Sequence, residues 1–208
     1  MKKLLISILA IALLMSASSC KKQSVLDHDD SEPLLIYEDT VLMDVGYLRQ
    51  LMTEQNVSAD ILGTDTLSEK DLFIHEAEIR ILSHIAEIYK VNYDKAEVAI
   101  EYDDHMEEIA DVTSYPGQLE YFNTLRDALG LTPEGLKEFV VTETYHNYNV
   151  TKLLDDISQS YQFVTDKDIL LEYLQSNILE FMETTDIKIN YPGVKLSQLD
   201  FMDVLEEH

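Results

Sequence analysis

Histidines and carboxylates are the side chains of this 208-residue chain that could hold a metal or move protons, and their spacing decides between those uses. His75-Glu76 opens like a zinc-protease helix, but that arrangement needs a second histidine four residues on, and position 79 is Ile79. His84 lies nine residues on and returns to the same face only loosely, so a surface histidine is the better reading. Asp103-Asp104-His105 with Glu107-Glu108 is dense in acids, yet these point to different sides of a helix turn and read as a solvated face. Asp27-His28-Asp29-Asp30 is weighed as a weak cation site and read instead as solvated linker. His146, between Tyr145 and Asn147, has no visible nucleophile. No serine stands in a Gly-x-Ser-x-Gly elbow, and the sole cysteine is Cys20. Six glycines form no phosphate-cradling loop. The expectation is no catalytic residue, no metal ligand and no cofactor: a protein that is not an enzyme.

Charge narrows the partners. Forty acids against fifteen bases give a formal charge of -25. Phosphate contacts need a basic patch, which is not visible, so nucleic acid is excluded as an expected partner. Electrostatic adhesion to anionic lipid is disfavoured for the same reason. The length suits one domain with a core large enough to need neither disulfide nor metal.

The elements that would position any site begin after a leader. Lys2 and Lys3 precede an apolar run from Leu4 to Met15, too short for a retained span, and then Ser16-Ala17-Ser18-Ser19-Cys20. Residues 1–19 are therefore expected to be a secretory signal. The small residues ending in Cys20 resemble a bacterial lipoprotein signal, with Ala17 where leucine is usual. The resemblance implies a lipidated Cys20 and anchorage on the extracytoplasmic side of the cell envelope, periplasmic or at the cell surface. Residues 20–33 read as a flexible acidic tether.

Residues 34–190 are expected to form the folded domain. Leu34-Leu35-Ile36-Tyr37 is a short strand candidate, followed by a turn at Glu38-Asp39-Thr40 and by Val41-Leu42-Met43. Asp44 is placed as the cap of a first helix over Tyr47 to Met52, with Gln55 to Thr66 as a loop. Ser68 and Asp71 open a second helix ending near Lys90, and Asp94 with Glu97 opens a third. Tyr115-Pro116-Gly117 breaks the chain before a fourth helix from Gln118. Gly130 ends that helix, and Thr132-Pro133 launches a central helix of ~28 residues, about 42 Å long. Thr165 and Asp168 start a returning helix with Ile169, Leu170, Tyr173, Leu174, Ile178, Leu179 and Met182 as its apolar residues. Ile187-Lys188-Ile189-Asn190 alternates like a strand and is expected to pair with the first one, because a lone strand leaves its backbone groups unsatisfied. Residues 191–208 are read as an acidic tail with a short helix. The fold class is mainly α, with one small two-stranded pairing.

Twelve tyrosines and seven methionines, without tryptophan, are the remaining signal. Tyrosine covers apolar peptide while its hydroxyl stays wet, and methionine adapts to irregular surfaces. Tyr145 and Tyr148 on the long helix, and Tyr121 with Phe122 on the one before, are either a peptide-binding face or half-buried packing.

Two stretches carry a resemblance to a family. One is Ile85-Ala86-Glu87-Ile88-Tyr89-Lys90-Val91-Asn92-Tyr93-Asp94-Lys95-Ala96-Glu97-Val98. The other runs Phe122-Asn123-Thr124-Leu125-Arg126-Asp127-Ala128-Leu129-Gly130-Leu131-Thr132-Pro133-Glu134-Gly135-Leu136 and on to Lys152-Leu153-Leu154. With the opening Ile36 to Leu42, they resemble the N-terminal chaperone domain of SurA- and PrsA-type extracytoplasmic folding factors, over roughly Leu34 to Ile189. The resemblance implies a helical domain that holds unfolded or assembling envelope proteins. In many relatives a parvulin-type prolyl isomerase lies between the long and returning helices. The gap from Tyr161 to Thr165 leaves no room for it, so isomerase activity is not expected. The alternative is a non-enzymatic adaptor or structural lipoprotein subunit of an envelope complex.

Overall fold

A computed structural model describes residues 24–110, 117–160 and 167–207. The signal and Cys20, Tyr115-Pro116 of the expected break and the Thr165 helix start lie outside the described residues. Three strands form an antiparallel sheet: β1 Pro33–Tyr37, β2 Thr40–Asp44 and β3 Ile187–Ile189, in the order β2-β1-β3. The expected pairing of the first and last strands is present, with Leu35 opposite Ile189 and Tyr37 opposite Ile187. The sheet has three strands rather than two, because Glu38 takes a left-handed φ of 51° and folds Thr40–Asp44 back on β1 as a hairpin. A central β1 then satisfies backbone groups on both edges.

Seven α-helices follow among the described residues: α1 Val45–Leu62, α2 Glu69–Tyr89, α3 Lys95–Ile109, α4 Gln118–Leu129, α5 Pro133–Ser160, α6 Lys167–Thr184 and α7 Met202–Glu207. The mainly α class holds. Caps fall where the side chains demand them. Asp44 accepts from the Tyr47 N–H at 2.8 Å, Ser68 from Asp71 at 3.2 Å, Asp94 from Ala96 at 2.8 Å and Thr132 from Gly135 at 3.1 Å. Gly130 ends α4 at φ 64°, a conformation that glycine adopts without a Cβ penalty.

Three expectations are corrected. Residues 55–62 are helix, not loop: the polar run keeps Val57 buried, and Ser58 meets the Tyr121 hydroxyl at 3.1 Å. The loop is shorter, and Gln55 braces it by accepting from the Leu67 N–H and donating to the Leu67 carbonyl. The tether reading fails from Ser24 onward. Val25 is buried in a 3-10 turn, Arg49 donates to the Leu26 carbonyl at 2.7 Å, and Asp30 lies so close that a Cβ on Gly46 would meet the Asp30 Cβ at 3.0 Å. The acidic tail is core instead. Tyr191, Val194, Leu199, Phe201, Val204 and Leu205 are buried, and Tyr191 stacks on Phe73 with ring centroids 4.5 Å apart. The expected short helix is α7. One carboxylate joins both ends: Glu69 accepts from Ser24 Oγ at 2.5 Å, the Val25 N–H at 3.1 Å and the Tyr191 hydroxyl at 2.9 Å.

The helix at the centre is α2, not the longer α5. From Leu72 to Ala86 nearly every α2 residue is buried, whichever way it points, with α5, α1, β2 and α7 around it. A helix covered on all sides belongs to the interior. The long α5 buries a stripe from Leu136 to Leu154, and most of its other residues over that span are half-buried against α2 and α3. Its buried valines are Val141 and Val150, while Val140 is half-buried.

Candidate functional site

Full burial of α2 traps charge. Arg80, 3% exposed, contacts the carboxylate of Glu143 on α5 and lies 3.6 Å from Glu76 one turn back. Its guanidinium stands over the Tyr47 ring, 4.5 Å from the centroid. Glu54 on α1 faces the same region, within 3.4 Å of the Tyr121 hydroxyl. Two largely buried carboxylates, Glu76 and Glu143, thus share one guanidinium, and Glu54 lies close enough to Glu76 to feel its charge. Burial pushes Glu143 up to about 8. Burial, reinforced by the charge of Glu76, raises Glu54 to about 7. Burial also raises Glu76, against the pull of Arg80. Burial lowers Arg80 to about 10, so it stays charged at neutral pH. His146, beside them on α5, is pushed down to about 2 by burial and by the Arg80 charge, and its Nδ1 lies 2.8 Å from Ser83 Oγ. Asn149 completes the row, donating to Ser83 Oγ at 3.0 Å and accepting from the Tyr93 N–H at 2.8 Å.

This charged seam is packed shut. Among the described residues the Tyr47 hydroxyl, Glu76 Oε2 and Arg80 Nε are buried without a hydrogen-bond partner. No three metal-ligating side chains converge among them.

One turn further along the same helices the surface opens. Leu82, Ile85 and Tyr89 of α2 face Leu153, Leu154 and Ile157 of α5, and α6 adds Leu174, Ile178 and Phe181 across the gap. They line an apolar cleft of about 360 Å³, within the roughly 300–1,000 Å³ usual for ligand pockets. Its rim is aromatic: Tyr89 is 63% exposed and Tyr173 45%. The polar groups on its wall are the Asp156 carboxylate and the Asn177 side chain, which donates to the Tyr173 carbonyl at 2.6 Å. A larger depression of about 560 Å³ lies between α1, α4 and Asp30-Ser31. Its lining is mixed, and its charged groups are engaged locally: Asp30 pairs with Arg49, and Asp44 caps α1. The apolar cleft is the better candidate for binding.

The residues singled out by sequence sit elsewhere. Tyr145 is 9% exposed, and its hydroxyl donates to Glu87 Oε1 at 2.8 Å. Tyr148 packs on Tyr93 with centroids 5.1 Å apart. Both belong to a small cluster with Val98 and Val141 that seats α3 on α5. Phe122 meets Tyr121, Tyr102 and His105 at 5.4, 6.2 and 6.2 Å. Tyr121 and Phe122 thereby lie between α4 and its neighbours α1 and α3. None of the four lines the cleft.

The acid-rich motifs are held locally as well. Asp103 pairs with Lys137 at 2.6 Å, Asp29 accepts from Ser31, and His28 meets Glu32 at 2.8 Å. His84 packs edge-on against Tyr37 at 4.3 Å and meets Glu87 at 3.1 Å. Sequence reading missed the cleft because its wall joins α2 to the distant pair α5 and α6, and each helix's contributing residues read as ordinary core. One signal was available. Ile169 and Tyr173 widen the apolar face of α6 beyond what its neighbours bury.

No helix among the described residues is long and apolar enough to cross a membrane. Comparison of the chain with protein-family models, curated proteins and solved structures finds no match.

Proposed function

We propose that the protein is a non-enzymatic binder of unfolded or assembling polypeptides of the cell envelope, a holdase without prolyl isomerase activity, anchored through a lipid on Cys20. The observation that carries the binding part is the open apolar cleft between α2, α5 and α6, rimmed by Tyr89 and Tyr173. An apolar cleft with an exposed aromatic rim, on a chain of charge -25, combines attraction for non-native segments with a solvated exterior that resists self-association. The anchor and the envelope location rest on the sequence of residues 1–20.

The test is suppression of aggregation of several unrelated unfolded proteins by equimolar protein, with prolyl isomerisation followed alongside. Suppression across clients, lost in a Tyr89→Ser/Ile157→Ser variant that remains folded, is the expected result. Failure to suppress any client would overturn the reading. One tight partner in its place would indicate the fixed subunit of an envelope complex.

A further inference from the structure

We propose that the C-terminal segment holds the cleft open, with Glu78 and Gln175 as positioning residues that set the distance between two of its walls through the backbone of Asp200. The inference rests on the peptide-binding reading and adds to it what keeps the cleft from closing. An apolar cleft in water does not maintain itself, because its walls lose exposed apolar surface by moving together. Something must keep α2 and α6 apart.

Asp200 stands where these two walls are linked. Its N–H donates to Glu78 Oε1 on α2 at 3.1 Å, and its carbonyl accepts from Gln175 Nε2 on α6 at 2.6 Å. Glu78 is buried and falls on the stripe that continues through Leu82, Ile85 and Tyr89, the α2 wall of the cleft. Gln175 is half-buried, directly follows Leu174 and lies one turn before Ile178, both on the α6 wall. The Asp200 carboxylate is engaged as well, accepting from the Met202 N–H at 2.9 Å where α7 begins. α7 contacts both α2 and α6, and Phe201, Val204 and Leu205 beside them are buried. The backbone is strained at this point. Phe201 takes a left-handed φ of 63°, which a bulky residue keeps only where its surroundings impose it. The strained residue lies between the Asp200 bridge and α7, so the segment is fixed where it meets both walls.

The experiment uses the full chain and short fluorescently labelled peptides in which a serine background carries either a Phe-Phe or a Leu-Leu pair, read by fluorescence anisotropy. Gln175→Met keeps the length of the side chain and removes its donor. The α6 wall is then free to settle toward α2. The bulkier Phe-Phe peptide is expected to bind about five-fold more weakly, and the Leu-Leu peptide no more than about two-fold. Gln175→Lys returns a donor and is expected to restore the parent's binding. The urea midpoint of Gln175→Met is expected to stay level or rise, because closing the walls buries apolar surface. An unchanged preference between the two peptides in Gln175→Met overturns the inference. So does a loss that comes with a lower urea midpoint, or one that Gln175→Lys does not repair. Each of these leaves the peptide-binding reading standing. Binding of neither peptide by the parent chain overturns both the inference and the reading beneath it.

Discussion

The same two helices meet twice, with opposite results. At Arg80 and Glu143, α2 and α5 close directly on each other and trap charges that water would otherwise solvate. Near Tyr89 and Ile157, α6 takes a place beside them and leaves a gap, so apolar side chains that could have closed a core form an open cleft. The closed contact specifies structure at a cost in desolvation; the open one leaves apolar surface available to a partner. Damage to the first should therefore appear in stability, and damage to the second in binding.

The largest effect is expected from Arg80→Ala. Removing the guanidinium should cost about 3–5 kcal/mol in urea unfolding above about pH 8, where Glu143 is ionised and would be left buried without its cation, and less at neutral pH, where it holds a proton. Next comes the proton dependence of the same seam. A carboxylate whose folded pKa is raised holds a proton that the unfolded chain has already lost, so its contribution falls as pH rises from the ordinary glutamate range toward about 8 for Glu143. Glu143→Gln removes that dependence. Its stability relative to the parent should therefore climb by up to about 1.4 kcal/mol per pH unit across the window. His146 acts in the other direction. Its depressed pKa means that stability is lost as pH falls below the ordinary histidine value, in parent and variant alike. The difference between the two proteins isolates Glu143.

Asn149→Ala should cost about 1–3 kcal/mol, because the Tyr93 N–H loses its acceptor where the link between α2 and α3 rests on α5. Tyr89→Ser sits at the other extreme. The side chain is mostly exposed, so stability should move by no more than about 0.5 kcal/mol while aggregation suppression falls. A Tyr89→Ser variant as destabilised as Asn149→Ala would erase the distinction between seam and cleft.

The contrast also separates what sequence could reveal from what it could not. Local signals were legible: Asp44, Ser68, Asp94, Thr132 and Gly130 mark helix ends because capping is a matter of a few neighbouring backbone groups. The pairing of Leu34–Tyr37 with residues 187–190 was legible too, from the need of a lone strand for a partner. Residues 191–205 were not, since an acidic composition hides Phe201, Val204 and Leu205, and burial there depends on α2 being available to cover them. The central place of α2 was hidden for a related reason. Its apolar face was legible, but the opposite face carries Glu76, Glu78 and Arg80, which read as solvent until Glu143 and the Asp200 N–H supply partners. Of the candidate site, the tyrosines chosen by composition proved to be tied into α3 and α4. The cleft residues from Leu82 to Phe181 come together only through the tertiary packing of α6.

Amide hydrogen exchange of the full chain, with and without a saturating apolar peptide, tests the central claim most directly. Protection is expected at 82–91, 153–157 and 173–181, with little change around Tyr121, Phe122 and Tyr148. Protection centred on those aromatic residues, with none at the cleft, would contradict the account.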